Sequence, residues 1–440
     1  MRRSFHVWTI GCQMNMADSE HLARQLLAAG FTEEPELERA DVAILNTCVV
    51  RQASEDKAFS KLHELRRWKT PDRTVAVTGC LVGKEGDRLR QRFPHVDAVV
   101  PIGETESFVR DLEARHDHAL GEPLPAAGRT GVSHFVNVIQ GCDHNCTFCI
   151  VPTVRGREVH RPLPAVVEEC RRTVEEGARE VVLLGQNVDD YHDPEGRGGL
   201  AALVRKVADI EGLRRVRFMT SHPQDLEFEL LELMAAHPRV AHELQLPVQS
   251  GDDFMLKRMA RGYQVRHYRT LIERARELMP DLGLYTDVIV GFSGETEEMF
   301  EHTRSLLQEI EFDVVHLAQY SPRGGTYAAE RWADDVPAEV KRRRINDLLE
   351  LQREIAGRRS ARWLGRVAEV LVEGADELGR PFGRNREGKR TLVRGARLAQ
   401  GVRALPIAGQ AVAPAVERGD LVRVQVDEAS PGQLTGSLVA

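Results

Sequence analysis

The 440-residue chain has no run of about 18 apolar residues, the length that a membrane-spanning helix needs. Its basic start is followed by no apolar stretch long enough for a secretory signal, so we expect a cytoplasmic protein with no membrane contact. Cysteine is also scarce: seven residues are too few for a disulfide scaffold at this length, and in the cytoplasm they would stay reduced. Metal binding or catalysis is therefore the better interpretation of the cysteines.

Neither a long internal repeat nor a low-complexity segment occurs, and a composition of 42% apolar and 29% charged residues is ordinary for a soluble globular protein. The net charge of −7 argues against indiscriminate binding to nucleic acid. The charge is polarised, however, because from Ala338 to Ala440 there are 19 Lys and Arg residues against 13 Asp and Glu residues. This asymmetry suggests that a polyanion binds at the C-terminal end.

The length predicts two or three domains, because a single hydrophobic core stops growing at about 250–300 residues. Over residues 1–120, short apolar runs alternate with helical patterns, which indicates a small α/β domain with a parallel sheet. The stretch Gly121–Gly131 has the Gly and Pro content of a linker. The predicted strands are Phe5–Ile10, Val42–Leu45, Thr74–Thr78 and Asp97–Val100.

Over residues 128–360 the alternation restarts, with six strands that are each followed by a helical pattern. Six βα units in succession predict a partly closed (β/α)6 barrel with its chemistry at the C-terminal ends of the strands. A long basic helix, Pro337–Arg359, leads out of the barrel. The six strands are Phe135–Ile139, Glu180–Leu184, Arg215–Met219, Glu243–Leu246, Leu284–Val290 and Val314–Gln319.

Residues 361–440 show short β-like runs separated by Gly-rich turns, which predicts a small antiparallel β domain. Between Arg380 and Arg403, eight Lys and Arg residues face the single acid Glu387. This basic ribbon, together with Lys341–Arg344, suits contact with an RNA backbone, and a merely solvated surface is the alternative. The runs are Val367–Val372, Thr391–Val393, Ala411–Pro414 and Leu421–Val426.

The strongest motif is CDHNCTFC, whose cysteines Cys142, Cys146 and Cys149 form what we call the loop triplet. Three thiolates can ligate three irons of a [4Fe-4S] cluster, which normally takes four cysteines, so that one iron stays open. An open iron can chelate the amino and carboxylate groups of a small molecule and pass it an electron. The alternatives are a zinc site completed by His144 or Cys170, or three ordinary buried cysteines.

Three further cysteines, Cys12, Cys48 and Cys80, each follow one of the predicted N-terminal strands, and we call them the dispersed triplet. The C-terminal ends of parallel strands lie along one edge of a sheet, so these side chains can meet although they are far apart in sequence. They could hold a second cluster, but three core cysteines would give the same pattern. The seventh cysteine, Cys170, lies in a helical pattern and is expected to pack there.

The loop triplet, with Phe148 before its last cysteine, resembles the signature of the radical S-adenosylmethionine (SAM) superfamily. Nearly the whole chain resembles the methylthiotransferases of that superfamily, most closely the MiaB branch, which acts on isopentenyladenosine beside the anticodon of tRNA. The matching segments are GCQMNMADSE from Gly11, NTCVVRQASE from Asn46, TGC ending at Cys80, VPTVRGRE from Val151, LLGQNV from Leu183, TSHP from Thr220, PVQSG from Pro247, VIVGFSGET from Val288 and YSPRGGT from Tyr320.

This resemblance implies that the loop triplet ligates the [4Fe-4S] cluster that binds and cleaves S-adenosylmethionine. It implies that the dispersed triplet ligates an auxiliary [4Fe-4S] cluster that delivers sulfur, and that the C-terminal domain is a TRAM domain, a small RNA-binding β-barrel. Radical chemistry suits the reaction, because a general base working near pH 7 cannot remove the hydrogen on carbon 2 of adenine at a useful rate. Departures from the family pattern stand at His160, Asp189, Gln245 and Ser293.

Loops after three barrel strands are expected to line the pocket for S-adenosylmethionine, since they offer small residues and hydrogen-bonding groups suited to a nucleoside sulfonium. The alternatives are that His222 is only a turn residue and that Gly251 only leads into a helix. The expected pocket residues are Gly185, Gln186 and Asn187 after the second strand, Ser221 and His222 after the third, and Gln249, Ser250 and Gly251 after the fourth.

Other side chains near these loops have two interpretations. Arg155, Arg157 and Arg161 could meet phosphates or the methionine carboxylate, or could lie solvated on the surface. Tyr320 and Arg323, after the sixth strand, could stack on or pair with the target nucleotide, and Tyr320 could instead cap the core.

The predicted activity is conversion of N6-isopentenyladenosine in the tRNA anticodon loop to its 2-methylthio derivative by a monomeric chain. An electron-donating reductase or flavodoxin-like protein and a sulfur source would be partners. Sister enzymes, acting on threonylcarbamoyladenosine in tRNA or on an aspartate of a ribosomal protein, are alternatives, but Gln13–Asn15, Gly185–Asn187 and Ser221–Pro223 favour the isopentenyl-directed type. A noncatalytic iron–sulfur protein that only binds RNA is the alternative from another class.

Overall fold

The computed structural model describes residues 3–116, 120, 131–399 and 414–439. Most of the predicted linker Gly121–Gly131 and of the predicted strand Ala411–Pro414 lies outside these residues. The domain boundaries 1–120, 128–360 and 361–440 stay predictions. Across the described ranges, no helix combines the length and the apolar character needed to span a bilayer.

The N-terminal part is a five-stranded sheet in the order β2-β1-β3-β4-β5, and all of its pairings are parallel. β3 is buried at every position, as a central parallel strand covered on both faces should be. α1 packs with the predicted face, which includes Leu22, Leu26 and Leu27. The elements are β1 Ser4–Thr9, α1 Gln13–Ala28, β2 Thr32–Glu33, β3 Val42–Thr47, α2 Gln52–Trp68, β4 Thr74–Gly79, α3 Cys80–Glu85, α4 Arg88–Arg92, β5 Ala98–Val99 and α5 Thr105–His116.

The central part is a barrel made of two three-stranded parallel sheets, β6-β9-β10 and β11-β12-β13. Backbone hydrogen bonds continue from one sheet to the other, since Val216 N donates to Arg239 O at 2.8 Å and Ser221 N donates to Gln245 O at 3.2 Å. Within the described residues, no strand pairing joins β6 to β13. The barrel is therefore partly closed, as predicted.

The helices of the central part cover the outside of this barrel, and α14 packs its buried residues Leu348, Leu351 and Ile355 into the main core. The elements are β6 Ser133–Asn137, β7 Ile139–Gln140, α6 Val151–Arg155, β8 Val159–His160, α7 Leu163–Glu175, β9 Glu180–Leu184, α8 Leu200–Ala208, β10 Arg215–Met219, α9 Phe228–Ala236, β11 Glu243–Gln245, α10 Asp253–Arg258, α11 Val265–Leu278, β12 Gly283–Val290, α12 Glu297–Ile310, β13 Val314–Gln319, α13 Tyr327–Arg331 and α14 Ala338–Ala361.

The C-terminal part is a closed barrel in the order β14-β15-β16-β20-β19. Its pairings are antiparallel as predicted, except that β16 and β20 run parallel. A closed ring with an odd number of strands cannot alternate direction throughout, so one parallel pairing is unavoidable. The elements are β14 Val367–Ala375, β15 Pro381–Asn385, β16 Arg390–Arg394, β17 Arg397–Leu398, β18 Ala415–Val416, β19 Leu421–Ser430 and β20 Gln433–Leu438.

Candidate metal centres

The loop triplet lies between β7 and α6, and the antiparallel pair β7–β8 holds the two ends of this segment together. Cys142 N donates to the carbonyl oxygen of Gly156 at 3.2 Å. Gly141, which starts the loop, has a φ of 84°, and a Cβ there would lie 2.1 Å from the carbonyl oxygen of Arg157. Only glycine fits this position, so the sequence GC sets the direction in which the loop leaves the strand.

The thiols of this loop are half-buried. Burial raises the pKa of Cys142 to about 12 and that of Cys149 to about 11, so they stay protonated at neutral pH until a metal displaces their protons. A buried cation touches the loop: Arg261 donates from Nη1 to the Sγ of Cys146 at 3.3 Å. Its Nη2 donates to the carbonyl oxygen of Pro247 at 3.0 Å, which fixes the guanidinium in place.

The spacing of candidate ligand atoms separates a cluster from a single ion. In the part of the chain that the structure describes, the only three such atoms within 4.8 Å of one another belong to His144, His222 and Asp225. The sulfurs of neither triplet are all this close, whereas zinc with Zn–S bonds of about 2.3 Å needs them about 4 Å apart. His144 pairs with Asp225 at 2.6 Å, and Cys170 is buried in α7. His144 and Cys170, the residues that would complete a zinc site, are therefore engaged elsewhere.

The dispersed triplet comes together at the C-terminal edge of the N-terminal sheet. Cys12 caps the start of α1, Cys48 directly follows β3, and Cys80 begins α3 directly after β4. The thiols of Cys48 and Cys80 interact with each other, and this interaction lowers the pKa of Cys80 and raises that of Cys48.

Two buried asparagines, Asn15 and Asn46, hold the cysteine loops of this edge against each other. Asn15 Nδ2 donates to Asn46 Oδ1 and to the carbonyl oxygen of Thr47, both at 3.0 Å, and Asn46 Nδ2 donates to the carbonyl oxygen of Asn15 at 2.8 Å. Cys12 N in turn donates to Asn15 Oδ1 at 3.2 Å. Both asparagines stand inside the resembling segments GCQMN and NTC, but their role becomes visible only in the folded sheet.

Arg155 reaches from the segment that follows the loop triplet to the dispersed triplet. It ends α6, the short helix after Cys149, and its Nε donates to the Sγ of Cys80 at 3.4 Å. Its Nη2 pairs with Asp18 at 3.0 Å, while Nη1 is buried without a hydrogen-bond partner. A buried donor without an acceptor costs about 1–3 kcal/mol. The sulfides of a cluster at the dispersed triplet could accept this hydrogen bond, so the residues present fit such a group.

The first predicted pocket loop, Gly185–Asn187, follows β9 and contacts the start of the loop that carries the loop triplet. Gln186 accepts a hydrogen bond on Oε1 from Gly141 N at 2.6 Å. Asn187 donates from Nδ2 to Asp225 at 2.8 Å, and its Oδ1 is buried without a partner. Gln186 thus supports the cysteine loop, whereas Asn187 keeps an acceptor free for a ligand.

The second predicted loop is organised around Asp189, one of the departures from the family pattern. Its carboxylate accepts hydrogen bonds from Ser221 Oγ at 3.0 Å and from His222 N at 2.8 Å, and burial raises its pKa to about 7. The His222 ring stacks on the His144 ring with centres 4.0 Å apart, and burial keeps His222 neutral by lowering its pKa. Ser221 and His222 therefore tie this loop to its neighbours.

The third predicted loop divides into two parts. Ser250 is fully buried beside α12, with its Oγ 3.3 Å from Thr303 Oγ1, and Gly251 N donates to the same hydroxyl at 2.9 Å. Gln249, by contrast, has an Oε1 that is buried without a partner. The structure thus ties Ser250 and Gly251 to a helix and leaves Gln249 with a free acceptor. Cofactor contact by these loop residues stays a prediction.

Backbone strain concentrates at this end of the barrel. Four non-glycine residues in the described ranges have positive φ, and two of them stand here: Thr220 at 71° after β10 and Gln249 at 66°. Each such conformation costs about 1–3 kcal/mol, and they cluster at functional sites. The strain marks the C-terminal ends of the strands as the working end of the barrel.

Comparison with known proteins agrees with this architecture. Residues 4–101 match the uncharacterized protein family UPF0004, and residues 136–307 match the radical SAM superfamily. The chain is 41% identical over 438 residues to the tRNA-2-methylthio-N(6)-dimethylallyladenosine synthase of Dehalococcoides mccartyi (strain CBDB1), covering 99% of this chain and 98% of the relative. The chain belongs to the tRNA-2-methylthio-N(6)-dimethylallyladenosine synthase family.

A second member of this synthase family, from Roseiflexus sp. (strain RS-1), is 45% identical over 382 residues, 84% of this chain and 80% of the relative. Among solved structures, the radical SAM methyltransferase TsrM from Kitasatospora setae aligns with a TM-score of 0.56 at 14% identity, covering 75% of this chain and 77% of that one, which shows a shared fold. The predicted family and fold class are confirmed. Radical SAM membership brings S-adenosylmethionine and a [4Fe-4S] cluster as cofactors.

The structure favours the core interpretation of Tyr320 and gives Arg323 partners within the protein. Tyr320 caps the core, as the alternative interpretation held, with its ring centre 4.7 Å from that of Phe292. Arg323 is buried between the barrel and the N-terminal sheet, where Nη1 donates to Gln52 at 2.7 Å and pairs with Glu55 at 3.3 Å. These residues hold the synthase fold together and do not lie open to a nucleotide.

The expected basic surface is also smaller than the sequence suggests. Lys341 and Arg344 are buried, paired with Asp334 and Glu295, and Arg403 lies outside the described residues. Four members of the basic ribbon have carboxylate partners, whereas no described carboxylate pairs with Arg390 or Arg397. The paired members are Arg380 with Asp376, Arg384 with Glu373, Lys389 with Asp313, and Arg394 with Asp427 and Glu428.

The three arginines that follow the loop triplet lie in different surroundings. Arg155 lies at the dispersed triplet and is not open to phosphates. Arg161 pairs with Glu169 at 2.5 Å, and Arg157 is exposed beside Asp143. Only Arg157 of the three therefore matches the solvated interpretation.

Proposed function

We propose that this protein attaches a methylthio group to carbon 2 of N6-isopentenyladenosine next to the anticodon of tRNA, using S-adenosylmethionine and two [4Fe-4S] clusters. The observation that carries the proposal is the presence of two cysteine triplets, the second of which is contacted by Arg155 from the segment that follows the first. Relatives of nearly the same length that are named for this reaction support it. The loop triplet holds the cluster for S-adenosylmethionine, called the radical cluster below, and the dispersed triplet holds the auxiliary cluster.

When bound, a [4Fe-4S] cluster with an open iron supplies the electron that cleaves S-adenosylmethionine and so starts radical chemistry. The chain itself binds and orients the reactants and excludes water. Asn187 Oδ1 and Gln249 Oε1 are buried acceptors without partners, and they are the groups that we assign to the donors of S-adenosylmethionine. Gln186 and Gly141 fix the cysteine loop through their hydrogen bond.

The remaining partners follow from the chemistry. We assign tRNA contact to the C-terminal barrel, where Arg390 and Arg397 have no carboxylate partner among the described residues. An electron-donating reductase or flavodoxin-like protein would feed the radical cluster, and a sulfur source would replenish the auxiliary one. A cytoplasmic location and a monomeric state stay predictions.

An anaerobic assay tests the activity. The reconstituted protein is given S-adenosylmethionine, dithionite and, in separate reactions, tRNA with isopentenyladenosine, tRNA with threonylcarbamoyladenosine, or a small-subunit ribosomal protein. Mass spectrometry should find a methylthio product in the first reaction only. Product in one of the other two reactions would assign a sister activity, and RNA binding without cleavage of S-adenosylmethionine would favour the noncatalytic alternative.

A separate measurement tests the two clusters. Iron and sulfide analysis should find about eight of each per wild-type chain and about four when either triplet is replaced by alanine. Cys170→Ala is the matched control, because Cys170 is buried in α7 and belongs to neither triplet. It should keep the full content. Four irons in the wild type would overturn the assignment of the dispersed triplet.

A further inference from the structure

We propose that two buried arginines set the reduction potentials of the two clusters separately, Arg155 for the auxiliary cluster and Arg261 for the radical cluster. This inference rests on the proposed function, because it presupposes both clusters. Each guanidinium donates to one cysteine sulfur, Arg155 to Cys80 at 3.4 Å and Arg261 to Cys146 at 3.3 Å. Hydrogen bonds to the sulfurs and the net charge nearby are among the factors that set the potential of an iron–sulfur cluster.

Both side chains are fixed and shielded from water, with 7% of Arg155 and 5% of Arg261 exposed. Arg155 is held by Asp18, which also accepts a hydrogen bond from Asn137 at 2.8 Å. Arg261 is held by the carbonyl oxygen of Pro247. A charge in such surroundings acts on its neighbour much more strongly than a charge in water does. Arg155 and Arg261 are therefore positioning residues for the cluster sites.

Arg155 reaches the N-terminal sheet because two short helices touch. α6 ends with Arg155, and α3 begins with Cys80. At their contact, a Cβ on Gly83 would lie 2.1 Å from the carbonyl oxygen of Val154, so only glycine allows this approach. Since Val154 directly precedes Arg155, the contact determines where the guanidinium meets Cys80.

The two sites differ in net charge. Arg155 forms an ion pair with Asp18, whereas no carboxylate pairs with Arg261 in the ranges that the structure describes. A positive charge stabilises the reduced cluster, which carries one more electron, and a negative charge destabilises it. Loss of either arginine should therefore make its own cluster harder to reduce, and loss of the Asp18 charge should make the auxiliary cluster easier to reduce.

A redox titration followed by electron paramagnetic resonance, on the full chain with both clusters, tests the inference. Arg155→Met should move only the auxiliary midpoint to a more negative potential, and Asp18→Asn should move the same midpoint in the opposite direction. Arg261→Met should make only the radical midpoint more negative. Arg157→Met is the matched control, because Arg157 is exposed on the same segment, and it should move neither.

Two additions keep the test decisive. Arg155→Lys keeps the charge and should leave the auxiliary midpoint close to the wild-type value. Asp18→Asn, compared with wild type, still tests the charge effect if Arg155→Met does not fold. A chain that lacks the dispersed triplet, through Cys12→Ala, Cys48→Ala and Cys80→Ala, assigns the spectral signals to the two clusters.

Iron and sulfide contents distinguish the outcomes. If both clusters are present and the midpoints do not move, or move equally at both clusters, the inference is overturned while the proposed function stands. If the wild type holds only one cluster, the two-cluster proposal and the Arg155 half of the inference are overturned together.

Discussion

Arg323 Nη1 lies 3.3 Å from Glu55 Oε2, and both side chains are buried although 268 residues separate them in sequence. Arg323 stands in the loop after β13, and Glu55 is in the first turn of α2, shortly after Cys48. Lys84 on α3 pairs with the other oxygen of the same carboxylate. A buried carboxylate thus joins the barrel to the two N-terminal segments that carry Cys48 and Cys80.

Replacing Arg323 should therefore loosen the contact between sheet and barrel. Arg323→Met leaves Glu55 buried with Lys84 as its remaining partner, and breaking a buried pair from one side costs up to about 3–5 kcal/mol. Urea unfolding should show a loss of about 3 kcal/mol. Arg269→Met is the control, because its pair with Glu309 is exposed and should cost less than about 1 kcal/mol. Equal losses would contradict this account of the contact.

The loop after the fourth barrel strand depends on the missing side chain of Gly251. A Cβ there would lie 2.6 Å from Thr303 Cα and 2.7 Å from the carbonyl oxygen of His302. Gly251→Ala should lower the free energy of unfolding by about 1–3 kcal/mol, the usual cost of overpacking. Gly324→Ala, where a Cβ would meet nothing within 4 Å, should leave the thermal midpoint almost unchanged. If the two variants melt alike, the close approach to α12 is not a constraint.

The C-terminal barrel is fastened to the core through Asp313. Burial alone would raise the pKa of this carboxyl, but Lys389 and Arg359 outweigh it and hold the pKa below its usual value. A carboxylate with a lowered pKa stabilises the fold above its ordinary pKa, and this contribution is lost as the pH falls through the lowered value. Asp313→Asn should therefore be less stable than wild type at neutral pH, and the difference should shrink below about pH 4.

Urea unfolding of both proteins at several pH values checks this prediction. A stability difference that stays constant down to about pH 3 would show that the charge of Asp313 is not what fastens the barrel.

Contact with tRNA should depend on unpaired cations of the C-terminal barrel. Arg390 is exposed, with its guanidinium 4.5 Å from the centre of the Phe382 ring, whereas Arg394 is paired with Asp427 and Glu428. Arg390→Ala should weaken tRNA binding and reduce the slope of log K against log salt by about 1, which corresponds to one lost phosphate contact. Arg394→Ala should have the smaller effect, and a larger one would place the RNA elsewhere on the barrel.

The sequence was sufficient for the parts of the fold that depend on local pattern. Glu180–Leu184, Arg215–Met219 and Val314–Gln319 have the predicted bounds, and Glu180–Leu184 is buried at every position, as a parallel strand covered on both faces should be. Because the C-terminal ends of parallel strands lie along one edge of a sheet, the sequence also predicted that the loops of Cys12, Cys48 and Cys80 lie at the same edge. Two-residue β2 was missed, since so short a segment carries no periodic signal.

Charged side chains were the weak point of prediction from sequence. Arg155, Arg323 and Arg344 are found in buried pairs whose partners lie 49 to 268 residues away, and no local pattern reveals such partners. Arg261 was missed for the same reason: it is one more arginine in a basic stretch until the fold brings it to Cys146. The parallel pairing of β16 and β20 in the C-terminal barrel could be predicted only from an odd number of strands. The sequence analysis did not predict β15 and β20, so this number was not known.

The division of labour between the two triplets is the centre of this account, and one comparison tests it directly. Cys48→Ala and Cys142→Ala proteins are incubated anaerobically with S-adenosylmethionine, dithionite and isopentenyladenosine-bearing tRNA, and deoxyadenosine and methylthio nucleoside are quantified by mass spectrometry. Cys48→Ala should still produce deoxyadenosine but no methylthio nucleoside, and Cys142→Ala should produce neither. Methylthio product from Cys48→Ala would contradict the role of the dispersed triplet as the site that supplies sulfur.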